Sequence, residues 1–458
     1  MEPVSKLEAS APTRDLSRER VPTRPKRAVR SLFESPLLIY GSVCIIGLTV
    51  LLGLAWKNGL DEPFGAGTDA SQYVGIAASM AHGGGYRNPA GLWPEQPALD
   101  RMPVWPVILS LGMRVFPNAL DERVARLTSI ISLALAGVAF AVLCRRLGAR
   151  PGLSLVGGLC VSLSPVTAYL GLGGLSEIPF ILIVGTGLAL AFSGPRYLHL
   201  SALLIGLGAL ARPNFVLVPL LFAGFIFLLP STRRRFLCGG SLRRAALALL
   251  LTLLPTALWL ARNYELTGRF PLLTSVYGET LYGSNNERVT NEVGCWGMWI
   301  FPDSIPGETP KLLLKRRFHN EVALSDYYAA QSMAWIRTHV PNLPRLVVGK
   351  LVRGCVPVPW GDSPTPLDFL AAFARFMVQC LFLVTAPFWW RGMSRPYLLF
   401  LAALGITNLI TTVVFYGSVR QNFCFFEVFT VPCTVLGIGA WMDARRKRKP
   451  ERLVMQDG

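Results

Sequence analysis

The chain has 458 residues, 52% of them hydrophobic and only 16% charged, and its mean hydropathy is +0.43. That is too apolar for an ordinary soluble domain. The formal charge of +18 does not point to nucleic acid, because Lys and Arg cluster in short segments beside apolar runs, the pattern that orients membrane helices.

Residues 1–34, rich in Arg, Pro and Ser, predict a disordered basic tail. They do not form a cleavable signal peptide: the apolar run that follows is too long and lacks an A-x-A site. That run, SPLLIYGSVCIIGLTVLLGLAW, predicts the first membrane span. The loop 57–122 holds GTDASQYVGIAASMAHGGGYR and then PALDRMPVWPVILSLGMRVF, whose apolar part is too short to cross and predicts an interfacial helix. Gly83-Gly84-Gly85 follows a helix instead of opening one, which predicts a C-terminal cap and turn in place of a phosphate cradle.

The second span runs from near Arg126 to Leu143, and the third and fourth are separated only by GGLS. Arg212-Pro213 breaks a long apolar run into a fifth and a sixth span. A seventh leads into the polar loop 262–366, which contains an amphipathic stretch, YYAAQSMAWIRTHVPNLPRLVVGKLVR, and three more spans follow. Apolar blocks of about 18–22 residues without period-2 alternation exclude a barrel. The expected fold is an all-α polytopic membrane protein with about ten crossings, one unit over 35–442, and a second basic tail over 443–458.

On ten crossings, both termini and every short basic loop share one side, which predicts cytoplasmic termini in a cell membrane and outward-facing loops 57–122 and 262–366. Most of the nine cysteines read as small core residues; Cys295 and Cys355 share one loop, where a pair or two free thiols are both open. His82, His319 and His339 lack metal-ligand spacing.

Several ionisable residues lie at the ends of apolar runs on the outer side, where a charge is costly unless paired or wet. Asp69 is either a helix cap or a general base, with Tyr73 one turn on. Glu177 is either a helix N-terminal acid or an orienting carboxylate. Arg212, Arg262, Lys350 and Arg420 are candidates to clamp a phosphate, with snorkelling to headgroups as the alternative. Asn263, Asn285 and Asn286 are either turn residues or hydrogen-bond partners for a sugar.

An ordered series of motifs resembles the lipid-linked-sugar glycosyltransferases of the GT-C fold, in particular those related to protein mannosyltransferases and the aminoarabinose transferase of lipid A. The series is Asp69, Tyr73, Ala77, Gly84-Gly85-Tyr86 and Arg101-Met102-Pro103-Val104-Trp105-Pro106, then Glu177, GLGALARP, WLARNYELTGRFPLLTSVYGETLYGSNNE and FYGSVRQNF. It extends over most of residues 36–442. Departures are Ala70 after Asp69, where some relatives carry a second acid, Ser284 and Glu287 in the Asn-Asn motif, and a lower span number.

The resemblance implies a GT-C-like bundle and transfer of a sugar from a polyprenyl-phosphate donor to a hydroxyl on a lipid, glycan or protein. Asp69 and Glu177 would be catalytic, and Tyr73, Tyr86, Arg101, Arg212, Arg262, Asn263, Asn285, Asn286, Lys350 and Arg420 would contact substrate. No metal ligand set is implied, and a divalent cation is compatible without being required. Membrane lipids are the other expected partners, and nucleic acid is not one. The alternative function is transport or flipping of a lipid-linked sugar, which predicts broken helices or charges near mid-membrane; Arg375 is the one charge read well inside a span.

Overall fold

The computed structural model describes residues 35–65, 67–228, 241–270, 272–359 and 364–454. The basic tail expected over 1–34 lies outside them. The fold is all α, with helices α1 (Pro36–Asn58), α2 (Asp69–Ala81), α3 (Val104–Val115), α4 (Asp121–Arg146), α5 (Pro151–Leu163), α6 (Pro165–Leu172), α7 (Glu177–Ala191), α8 (Leu198–Ala209), α9 (Leu217–Leu228) and α10 (Ser241–Thr267). After α11 (Tyr277–Ser284) come α12 (Glu321–Thr338), α13 (Leu343–Cys355), α14 (Pro366–Val384), α15 (Arg395–Val414) and α16 (Val428–Val454). A π turn, Phe423–Glu427, leads into α16.

The expectation of about ten spans is corrected. Among the described residues, six helices are long and apolar enough to cross a membrane, or seven if α5 and α6, bent by 46° at their junction, count as one span. The shortfall lies in the fourth, fifth and sixth expected spans, whose helices are too short. Gly194, at φ 134°, and Pro195 end α7 after 15 residues, and a 3₁₀ turn at Pro213–Val216 leaves α8 and α9 with 12 residues each. At 1.5 Å per residue such helices span about 18–23 Å, short of a hydrocarbon core of about 30 Å. The apolar runs and the break at Arg212-Pro213 are as expected there; a full crossing length is not reached.

The bundle centres on α4, which packs against α1, α5 and α7. Small residues permit the close approaches. The Gly137 and Gly158 backbones on α4 and α5 meet directly, and Gly206 on α8 lies against the Thr252 carbonyl of α10. Inside the bundle, Arg375 of α14 forms a two-point ion pair with Glu427, which also accepts from Gln379 and Asn422 at 2.9 and 2.8 Å. Arg375 and Glu427 are both buried, so each charge is tolerable only because the other faces it.

The loops form a layer over one end of the bundle. Helix α3 buries Trp105, Leu109 and Met113 and leaves Val107, Leu111 and Val115 exposed, the two-faced pattern of an interfacial helix. The later loop builds its own core from Tyr282, Ile300, Leu324, Tyr328 and Leu346. Cys295 and Cys355 are both free thiols.

Replacing Gly206 by Ala sets a methyl into the Thr252 carbonyl, whereas Gly53 has open space around it. Thermal unfolding in detergent is expected to show Gly206→Ala destabilised by about 1–3 kcal/mol and Gly53→Ala unchanged or slightly stabilised. Equal effects at the two sites would refute the close packing.

Candidate functional site

The site begins at the start of α2. Thr68, not Asp69, is the N-cap: its hydroxyl accepts from the Ser71 N–H at 3.3 Å. The Asp69 side chain is thereby free to pair elsewhere. One oxygen accepts from Arg101 Nη2 at 2.8 Å and the other lies 2.9 Å from Arg420 Nη1. Tyr73, one turn along, donates to Ser176 Oγ at 3.0 Å. Ser176 precedes Glu177 in a turn where Gly174 adopts φ 63° and its carbonyl accepts from Trp105 Nε1 at 2.7 Å. That turn ties α3 to the start of α7 and aims Glu177 inward.

Glu177 has no exposed surface. Arg212 donates to it at 2.5 Å, and Arg420 engages both of its oxygens. Arg420 therefore bridges two carboxylates from different segments. The five charged groups, two acids and three guanidiniums, carry a net charge of +1.

Asp69, Arg101, Arg212 and Arg420 line one wall of a cavity of about 1460 Å³ with Tyr73, Ser176 and Tyr416, and Glu177 lies buried behind them. The volume exceeds the roughly 300–1,000 Å³ of common small-molecule pockets. Apolar side chains line the cavity as well, Leu367, Ala371 and Ala372 of α14 and Ile410 and Val414 of α15 among them. Arg375 lines it too.

Burial by itself raises the Asp69 carboxyl, but the charges of Arg101 and Arg420, with Arg212 behind them, outweigh it and hold the group down to about 2. About a third of the side chain, 35%, stays open to the cavity. Asp69 is thus a fully ionised, strongly held carboxylate with an exposed edge.

The other residues singled out in the sequence stand behind this wall. Arg262 does not line the cavity. It donates to the Ala98 carbonyl at 3.1 Å and to Asn263 Oδ1 at 2.8 Å, and it packs over the rings of Trp259 and Tyr86. Tyr86 donates to the Arg101 carbonyl at 2.8 Å, and Asn263 donates to the Leu272 carbonyl at 2.8 Å. Together they hold the segment that carries Arg101. Lys350 and Asn285 act similarly at the other end: Lys350 Nζ donates to Asn285 Oδ1 at 2.7 Å and to the Val413 and Val414 carbonyls at 3.0 and 3.3 Å, pinning α15 just before Tyr416 and Arg420. Asn286 caps a short helix, accepting from the Val289 N–H at 3.2 Å.

Three participants were not singled out as site residues: Ser176, Tyr416 and Glu427. Tyr416 lies within the FYGSVR motif. Glu427 sits at the margin of an apolar run, where an acid resembles a boundary residue. Among the described residues, no three His, Cys, Asp or Glu gather as for a metal ion; Asp69 and Glu177 are the nearest acid pair at this wall, and both are engaged by arginine.

No protein-family model matches the sequence, and no curated protein matches it. Among solved structures, the chain is similar to the crystal structure of ArnT from Cupriavidus metallidurans bound to undecaprenyl phosphate, at 15% identity and a TM-score of 0.39 over 88% of this chain and 77% of that one. An overlay that loose carries no inference about chemistry.

Burial lowers the Lys350 ammonium from 10.5 to about 7, and only neutral oxygens bond to it. Between those values the unfolded chain holds a proton that the folded chain lacks, so the cost of burying the charge is complete below pH 7 and lifts as pH rises toward 10.5. The melting temperature in detergent is expected to gain across that window relative to Lys350→Met. Parallel profiles for the two proteins would exclude this assignment.

Proposed function

We propose that the protein is a membrane glycosyltransferase that moves a sugar from a polyprenyl-phosphate donor to a hydroxyl acceptor. The observation that carries this reading is Asp69 held between Arg101 and Arg420 in a cavity that apolar side chains of α14 and α15 also line. The cations suit a phosphate and the apolar helices suit its lipid tail. The ordered motif series in the sequence supports the same class.

In the transfer, the acceptor oxygen attacks the anomeric carbon as the bond from that carbon to the phosphate oxygen breaks. The acceptor proton passes to Asp69, and the polyprenyl phosphate leaves with its added negative charge on Arg101, Arg212 and Arg420. A carboxyl held down to about 2 is a weak base. An entering phosphate competes for the same guanidiniums and repels the carboxylate, so donor binding raises the proton affinity of Asp69 when it is needed. Glu177 keeps Arg212 and Arg420 fixed and charged.

An outward-facing site is supported by the opposite end of the bundle. Arg145 and Arg146 end α4, Arg150 pairs with Asp443 of α16, Arg196 precedes α8 and Arg395 begins α15 there. Such short basic segments favour the cytoplasm, and both the start of α1 and the end of α16 share their side. The lipid-linked-sugar transporter reading has two observations in its favour, the buried Arg375–Glu427 pair within the spans and the 46° break between α5 and α6, since intramembrane charge pairs and broken helices mark transport paths.

Asp69→Asn is expected to insert and fold, and to lower transfer from a polyprenyl-phosphate sugar in vesicles by about 100- to 10,000-fold. Arg101→Gln is expected to weaken donor binding. The acid limb of kcat should lie at higher pH than that of kcat/KM, the latter reporting the free enzyme. Wild-type turnover by Asp69→Asn would overturn the reading; sugar crossing the bilayer without transfer would favour the transporter.

A further inference from the structure

The cavity has a second polar wall that the ion-pair cluster leaves unused. Helix α12 turns Glu321, Ser325 and Tyr328 onto it, spaced as one helix face. Tyr328 is 1% exposed, and its hydroxyl has no partner among the described residues. Asp100, beside Arg101 in sequence, lines the same wall. Its Oδ2 accepts from Asn88 at 2.8 Å, while its Oδ1 is buried and without a partner among the described residues.

Glu321 uses one oxygen only, Oε2, which accepts from Ser275 Oγ at 2.7 Å and from the Leu99 N–H at 3.3 Å. Glu279 and Asp303 lie further along, joined through Lys311, whose Nζ is 2.6 Å from Glu279 and whose backbone N–H donates to Asp303 at 2.9 Å. Four acidic side chains share this wall with Lys311, and Arg101, itself paired with Asp69, acts on Asp100 and Glu279 from its edge, so the acids remain in excess here. Trp93, Tyr277 and Trp299 add aromatic rings to the lining.

We propose that this second wall is the acceptor subsite and that it takes a neutral or cationic polyhydroxyl group, such as a sugar ring. Ring hydroxyls donate to Asp100 Oδ1 and Glu321 Oε1, Tyr328 donates to an acceptor oxygen, and the aromatic rings cover an apolar sugar face. An anionic acceptor meets uncompensated carboxylates and is rejected. Burial, and next the adjacent Asp100 carboxylate, push the Glu321 carboxyl up, with Lys311 opposing them; Arg262 also senses Glu321 from α10. A group so placed accepts or donates to a hydroxyl near neutral pH. The inference rests on the sugar-transfer reading and adds the acceptor class to it.

The test is saturation-transfer NMR on the full chain in detergent micelles, with methyl glucoside, glucosamine and glucuronate as probes. The first two are expected to bind and glucuronate to bind about tenfold more weakly, with glucoside binding reduced about tenfold in Glu321→Gln and in Tyr328→Phe. The ranking of the three probes uses the unaltered protein, so it stands even where a variant folds poorly. Glucuronate binding as well as glucoside, no glycoside binding, or folded variants that bind unchanged would overturn the subsite. Glycoside binding with the expected ranking, but with no sugar leaving polyprenyl phosphate, would overturn the transfer reading and leave the binding subsite standing.

Discussion

Glu177 carries a charge with no exposed surface, and it is stable there because Arg212 and Arg420 close on it from segments far apart in sequence. Removing either partner would leave an uncompensated buried charge. The start of α7, the break between α8 and α9, and the turn before α16 are thus fixed to one point. Asp69 joins the cluster through Arg420, and Arg101 holds it from the opposite side. The polar wall of the cavity is one electrostatic object assembled from the first loop and three interhelical junctions.

Supporting contacts explain why conspicuous polar residues lie away from the cavity. Arg262, Asn263 and Tyr86 bind backbone carbonyls of the segments around Arg101, and Lys350 with Asn285 binds those at the end of α15. A carbonyl exposed at a broken helix end needs a donor, and a long side chain behind the wall supplies it. Such residues set the geometry of the site without facing its contents.

Much of this was legible from residue type and position. The apolar runs marked a helical membrane protein, and the charges at their ends marked the residues that now form one cluster: Asp69, Arg101, Arg212 and Arg420 on the wall and Glu177 buried behind it. The break at Arg212-Pro213 was legible too, but the helices on either side of it and the one before Gly194-Pro195, of 12–15 residues, fall short of a full crossing, so three expected spans drop out. Hydropathy does not tell a guanidinium facing a cavity from one stacked on Trp259, because that depends on which way α10 is turned. The acidic wall was harder still to see. Glu321 follows the cap residue Asn320, where an acid is expected for helix stability alone.

The π turn at Phe423–Glu427 sets the register between two charged positions, Arg420 and Glu427, about two turns apart on the last long helical segment. Five-residue hydrogen bonding widens the coil there, so Arg420 reaches the cluster while Glu427 meets Arg375 on another helix. An ordinary α turn would rotate everything beyond it by about 100° per residue lost. The single inserted residue thus works as a phase shifter, keeping the surface cluster and the interior ion pair aligned on one rod. Any rearrangement that relaxed this local unwinding would uncouple the two, and the cavity wall would lose its bridge before the bundle lost its fold.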